Sequence, residues 1–176
     1  YVCDQETILT VRKTSVFFPG DGFAAYDSAG ELVFRVDSYG PDSGEIVLMD
    51  ADGGSILTVR RKRPSLHGRW EGFAGDGAEG KSPLFSVRRS SILGRSTVTV
   101  EVYGDRGEEY RIEGSFPCRQ CSILGADTEA VAEIRRKVDP TTNVILGNDV
   151  FILSLKAGFD GAFAMGLVVV LDQIQG

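Results

Sequence analysis

The sequence predicts a mainly β protein: a closed antiparallel barrel of about twelve strands around a buried hydrophobic helix at the C-terminus. Three observations predict it. The first is the terminal stretch Gly161–Gly176, GAFAMGLVVVLDQIQG, in which the ten residues Ala162 to Leu171 carry neither charge nor hydrogen-bonding side chain. Wound as a helix, that run has no polar face, so something must surround it. Ten apolar residues are too few to cross a bilayer and suit a core helix. The second is that everything before it reads as short strands separated by turn signals. The third is size. An α-helix with side chains is about 10–12 Å across, and a can of about eleven strands can hold one. A 15-residue helix and a seven-residue strand span about 22 and 23 Å, so helix and wall match in height.

The strands follow in order as roughly Thr7–Lys13, Phe23–Asp27, Glu31–Asp37, Glu45–Asp50, Ser55–Arg61, Arg69–Ala74 and Leu84–Arg89. Then come Thr97–Tyr103, Glu109–Phe116, Arg119–Leu124, Ala130–Lys137 and Asp149–Leu155. Alternation is cleanest in TVTVEVY, with Val98, Val100 and Val102 on one face. Asp149–Leu155 is apolar on both faces and belongs where both are covered. The turns Asp27-Ser-Ala-Gly30 and Asp50-Ala-Asp-Gly53 pair an Asp that can bond its own backbone with a Gly suited to positive φ. Asp160 is a good N-cap for the terminal helix. Its residues Phe163, Met165, Leu167, Val168, Val170 and Leu171 are expected to be inaccessible on every side.

The totals bound the rest. A chain of 176 residues without a linker or composition break reads as one domain, 1–176. A net charge of -6 disfavours a dedicated nucleic-acid binder. Three cysteines cannot all pair within the chain, and without a sequon or secretory signal they fit a reducing intracellular setting. The first residue is Tyr1, not Met, so a preceding segment could have carried a targeting or lipidation signal.

The run Arg60-Arg-Lys-Arg-Pro-Ser-Leu-His-Gly-Arg-Trp70 and the segment Phe159-Asp160 leading into Ala162–Asp172 carry a resemblance. With the two Asp-x-x-Gly turns, they make the chain similar to the LURP-one-related family of plants, essentially end to end. The resemblance implies a tubby C-terminal-like fold, related to phospholipid scramblases, with a twelve-stranded barrel threaded by a hydrophobic helix. It implies no enzyme and no catalytic residues. It suggests a defence-linked protein that binds a membrane lipid, phosphoinositide-like, or a protein partner. The family relation to tubby also suggests a membrane-tethered transcription regulator contacting nucleic acid, and a lipid-acting enzyme is a third class. The enzyme would need a deep polar pocket with perturbed carboxylates, for which a packed helix leaves little room. The implied setting is cytoplasmic, peripheral at the plasma membrane, or nuclear.

Other motifs have plainer readings. Cys118-Arg-Gln-Cys121 has CxxC spacing, but a structural zinc site needs four ligands and only Cys3 and His67 remain. Two free thiols near a turn are expected, with no metal and no cofactor. Gly75-Asp-Gly-Ala-Glu-Gly80 matches G-x-G-x-x-G, yet no helix follows and its acids would repel a phosphate. Asp50-Ala-Asp-Gly-Gly lacks the later ligands of a calcium loop. His67, the one histidine, is placed in the hairpin entering Trp70.

A weak repeat carries the binding expectation. ILTVRK (Ile8–Lys13), ILTVRR (Ile56–Arg61), LFSVRR (Leu84–Arg89) and VAEIRR (Val131–Arg136) are each read as a strand ending in a basic pair. All four are odd-numbered strands, which run in one direction in an up-and-down meander. Their basic ends then gather at one rim, with the turns bearing Asp27, Asp50, Asp52, Asp76, Asp105 and Asp127 at the other. If Val11, Val59, Val87 and Ile134 face the helix, the arginines beside them face outward. The lipid- or anion-binding candidates are therefore Arg12, Arg60, Lys62, Arg63, Arg88 and Arg135.

Overall fold

The protein is described by a computed structural model covering residues 1–14, 22–38, 44–65, 68–92 and 95–175. Its strands are β1 (Thr7–Lys13), β2 (Phe23–Tyr26), β3 (Leu32–Ser38), β4 (Glu45–Asp50), β5 (Ser55–Arg61) and β6 (Trp70–Ala74). The rest are β7 (Phe85–Ile92), β8 (Arg95–Val102), β9 (Glu109–Ser115), β10 (Gln120–Leu124), β11 (Ala130–Arg136) and β12 (Val150–Leu155). The helix α1 is Gly161–Gln175. The predicted fold class is found: a mainly β, closed antiparallel barrel of twelve strands with one C-terminal helix. Each strand pairs with its sequence neighbours, and β1 closes the ring on β12, with Leu9 opposite Leu153. An even number of antiparallel strands leaves no free edge.

Period-two alternation sends Val11, Val59, Val87, Ile134, Phe151 and Leu153 inward, all 2% accessible or less. They meet Met165, Leu167, Val168, Val170 and Leu171, each 0% accessible. Phe163 departs from its expected burial. It is half-buried, because the first turn of α1 stands in the barrel mouth, where the wall covers one side of the ring. Gly166 lets the wall close in: a Cβ there would lie 2.5 Å from Leu57 Cδ2.

The helix starts where predicted. Asp160 Oδ1 accepts from the amides of Ala162 at 2.8 Å and Phe163 at 3.1 Å, satisfying donors the first turn leaves open. The chain then returns antiparallel to β12. We call the end holding Asp160 the upper rim and the end holding Gln175 the lower rim. β12 needs no second layer: its outer face carries half-buried Ile152, and Ser154 lies under Arg135, which donates to it at 2.9 Å.

Two upper-rim turns are near copies. Asp27 Oδ1 accepts from Ala29 N and Glu31 N, both at 2.9 Å. Asp50 Oδ1 accepts from Asp52 N at 3.0 Å and Gly54 N at 2.7 Å. The glycines that close them, Gly30 and Gly53, have φ of 82° and 87°. Register shifts occur where β2, β4 and β10 end, all at this rim, a usual place for bulges that bend strands into a barrel.

Candidate functional site

The strand order decides where the charges sit. In a closed antiparallel ring all odd strands run from the upper rim to the lower. The turns bearing Asp27, Asp50, Asp52, Asp76, Asp105 and Asp127 each join an even strand to the next odd one, so they lie at the upper rim. Arg12, Arg60 and Arg135 lie near the lower ends of β1, β5 and β11, and Lys62 and Arg63 in the β5–β6 connection just beyond. Arg88 differs. β7 continues three residues past Arg89, so Arg88 sits in the wall rather than at a strand end.

Several of these cations have partners, which the sequence reading did not foresee. Arg60 lies 3.8 Å from Glu45, over the Phe73 ring. Lys62 pairs with Glu71 at 3.0 Å and Arg88 with Glu101 at 3.3 Å. The pairs of Arg60 and Arg88 are largely exposed and worth about 0–1 kcal/mol, so these cations keep most of their reach toward a larger anionic surface, whereas Lys62 is held by a buried carboxylate. Arg12, Arg61 and Arg63 are exposed and carry no ion pair of this kind among the described residues.

The lower mouth has a plug that sequence reasoning missed. Asp172, 6% accessible, ends the apolar run of α1 where the helix dipole is negative. Lys13 Nζ meets its Oδ1 at 3.3 Å. Arg119, 5% accessible with φ of 53°, lies against the Phe116 and Phe151 rings and donates from Nε to Asn148 O at 2.9 Å. Burial lowers its pKa, while Asp172 and then Asp149 pull it back. The signal in the sequence is the lone carboxylate at the end of a neutral helix, which demands a cation at that mouth.

The upper mouth holds a cavity of about 410 Å³ between the first turn of α1 and strands β5 and β7–β9. Phe85, Tyr110, Phe159 and Phe163 form its aromatic floor, with Phe85 and Phe163 edge-to-face at 5.0 Å. Tyr110 donates to Glu108 at 2.6 Å; burial, then that bond, pushes its phenol up to about 12. Room beside the helix exists at this mouth because the helix starts level with the rim. The walls are mainly apolar, so the space suits an apolar group better than acid–base chemistry.

The remaining motifs resolve locally. Cys118 lies exposed in the β9–β10 turn, while Cys121 faces the core, so the two thiols diverge. Burial pushes the Cys121 thiol up to about 11, with Arg119 opposing. Iodoacetamide at about pH 8 is therefore expected to label Cys3 and Cys118 in the folded protein and Cys121 only after denaturation, as peptide mass spectrometry would show. The Gly75–Gly80 loop wraps its own cation: Lys81 Nζ donates to the carbonyls of Ala74 at 2.8 Å, Asp76 at 2.5 Å and Gly77 at 3.0 Å. Asp50 and Asp52 belong to the turn described above. His67 lies outside the described residues. Among the described residues no helix is long and apolar enough to cross a membrane.

The profile of the family described as LURP-one-related matches residues 7–172. The chain belongs to the LURP-one-related family. It is 63% identical to Protein LURP-one-related 12 of Arabidopsis thaliana, over all of this chain and 81% of that protein. It is equally 63% identical to Protein LURP-one-related 5 of the same plant, over all of this chain and 87% of that one. The X-ray structure of an Arabidopsis thaliana protein shares the fold, with a TM-score of 0.71 at 22% identity, covering 100% of this chain and 95% of that one.

Proposed function

We propose that this LURP-one-related protein is a non-catalytic binding module that docks its lower rim on an anionic phospholipid surface. The observation that carries this reading is the strand order, which gathers basic strand ends at one rim and acidic turns at the other. Distance lets the separation act despite a net charge of -6. A seven-residue strand spans about 23 Å, more than two Debye lengths of about 8 Å at physiological salt. The acidic rim is thus screened from a membrane that the basic rim touches. Each Lys or Arg near such a surface contributes about 1 kcal/mol. The defence-linked setting rests on the family, and the cellular place is the cytoplasmic face of a membrane.

Flotation with vesicles of phosphatidylcholine, with and without phosphatidylserine, tests the reading. Binding is expected only with phosphatidylserine, and it should weaken steadily as salt is raised. Equal binding to both vesicles, or none to either, contradicts it. Displacement from the vesicles by duplex DNA, with a steeper salt dependence, would favour nucleic acid as the partner.

A further inference from the structure

We propose that the β11–β12 hairpin is a membrane-inserting tip, whose Val138, Val144 and Ile145 enter the anionic bilayer beside the basic rim; this rests on the docking mode proposed above.

The connection from β11 to β12 leaves the barrel at the lower rim. It is a built hairpin. Val138 and Ile145 form an antiparallel bridge, Leu146 N donates to Lys137 O at 2.9 Å, and Asp139 N donates to Val144 O at 2.9 Å. The side chain of Asp139 accepts from the amides of Thr141 at 2.7 Å and Thr142 at 2.9 Å. This frame presents Val138, Val144 and Ile145 to solvent, at 43, 58 and 55% accessibility.

Position makes the three aliphatics informative. Among the described residues, the other large exposed hydrophobics are Tyr1, Val2, Ile8, Leu84 and Tyr103, all in the upper half. Scattered single residues of this kind need no explanation, but these three share one projection. Arg12 stands opposite Val150 at the base of the hairpin. Lys137, in the hairpin stem, donates to Thr10 Oγ1 at 3.1 Å. An aliphatic tip with two cations, Arg12 and Lys137, at its base matches the layered chemistry of an anionic membrane, with phosphates outside and acyl chains within. Asp139 and Asp149 oppose the attraction, and the first is turned onto the hairpin's own amides.

The test uses the indole as a depth probe. Trp70, the one native tryptophan, is 8% accessible in the wall and serves as an internal reference. In Ile145→Trp, phosphatidylserine vesicles are expected to blue-shift the introduced indole, and brominated acyl chains to quench it, while Trp70 in the wild type is unaffected. The double variant Val144→Ser, Ile145→Ser should bind these vesicles about tenfold more weakly at physiological salt, the scale expected for about 1.4 kcal/mol of lost apolar burial. If the wild type floats with the vesicles while the indole neither shifts nor quenches, the hairpin stays in water and only the insertion is overturned. If the wild type does not bind, both readings fall. A blue shift on raising protein concentration without vesicles would mean that a second copy covers the tip, and would overturn insertion.

Discussion

Leu167→Asp is expected to leave the chain unfolded at room temperature. Leu167 sits near the middle of α1 and is 0% accessible, with the next-door Gly166 drawing Leu57 against the helix. Removing a buried Leu side chain costs about 2–5 kcal/mol. A buried carboxylate without a counter-charge adds several kcal/mol more, or must be protonated to avoid it. A domain of this size is held by about 5–15 kcal/mol in total. Leu167→Met, which preserves volume, should cost less than about 1.5 kcal/mol and serves as the control. Far-UV circular dichroism during urea titration separates the outcomes. The Met variant should melt cooperatively, and the Asp variant should show no folded baseline. A cooperatively folded Asp variant would contradict a helix enclosed on all sides.

Much of this fold is legible because its local signals agree. Most strands are announced by alternation, those meeting at the upper rim are bounded by turns rich in Asp and Gly, and the terminal helix is announced by ten neutral residues behind an Asp cap. What escapes the sequence depends on neighbours. β7 runs to Ile92 through Ser90 and Ser91, which carry no strand signal; pairing with Arg95–Thr97 of β8 carries it on. Phe163 belongs to the apolar run, yet its exposure depends on the level at which α1 enters the barrel. The same level opens the aromatic cavity, whose residues come from five separate segments. The acids that pair with the predicted cations, Glu45 and Glu71 at the lower rim and Glu101 in the wall, lie on even strands and meet them across a register that no single-strand pattern displays. Asp172 and Lys13 are 159 residues apart in sequence and touch only because the barrel closes.

A rim-specific loss of membrane binding is the second large effect expected. Arg12→Gln, Arg61→Gln and Arg63→Gln together remove three exposed lower-rim cations while sparing the ion pairs of Arg60, Lys62 and Arg88. At about 1 kcal/mol each near an anionic surface, their loss should weaken vesicle binding by roughly one to two orders of magnitude. Folding should be unaffected, because exposed substitutions of this kind usually fall within about 0.5 kcal/mol. The matched control is Arg106→Gln, Arg111→Gln and Lys156→Gln, three exposed residues in the upper half that change the net charge by the same amount.

The decisive measurement is the affinity of both triple variants and the wild type for phosphatidylserine vesicles at one salt concentration. The account predicts a large loss for the lower-rim triple and little change for the upper-half triple. Equal losses in both, or wild-type affinity in the lower-rim triple, would contradict it.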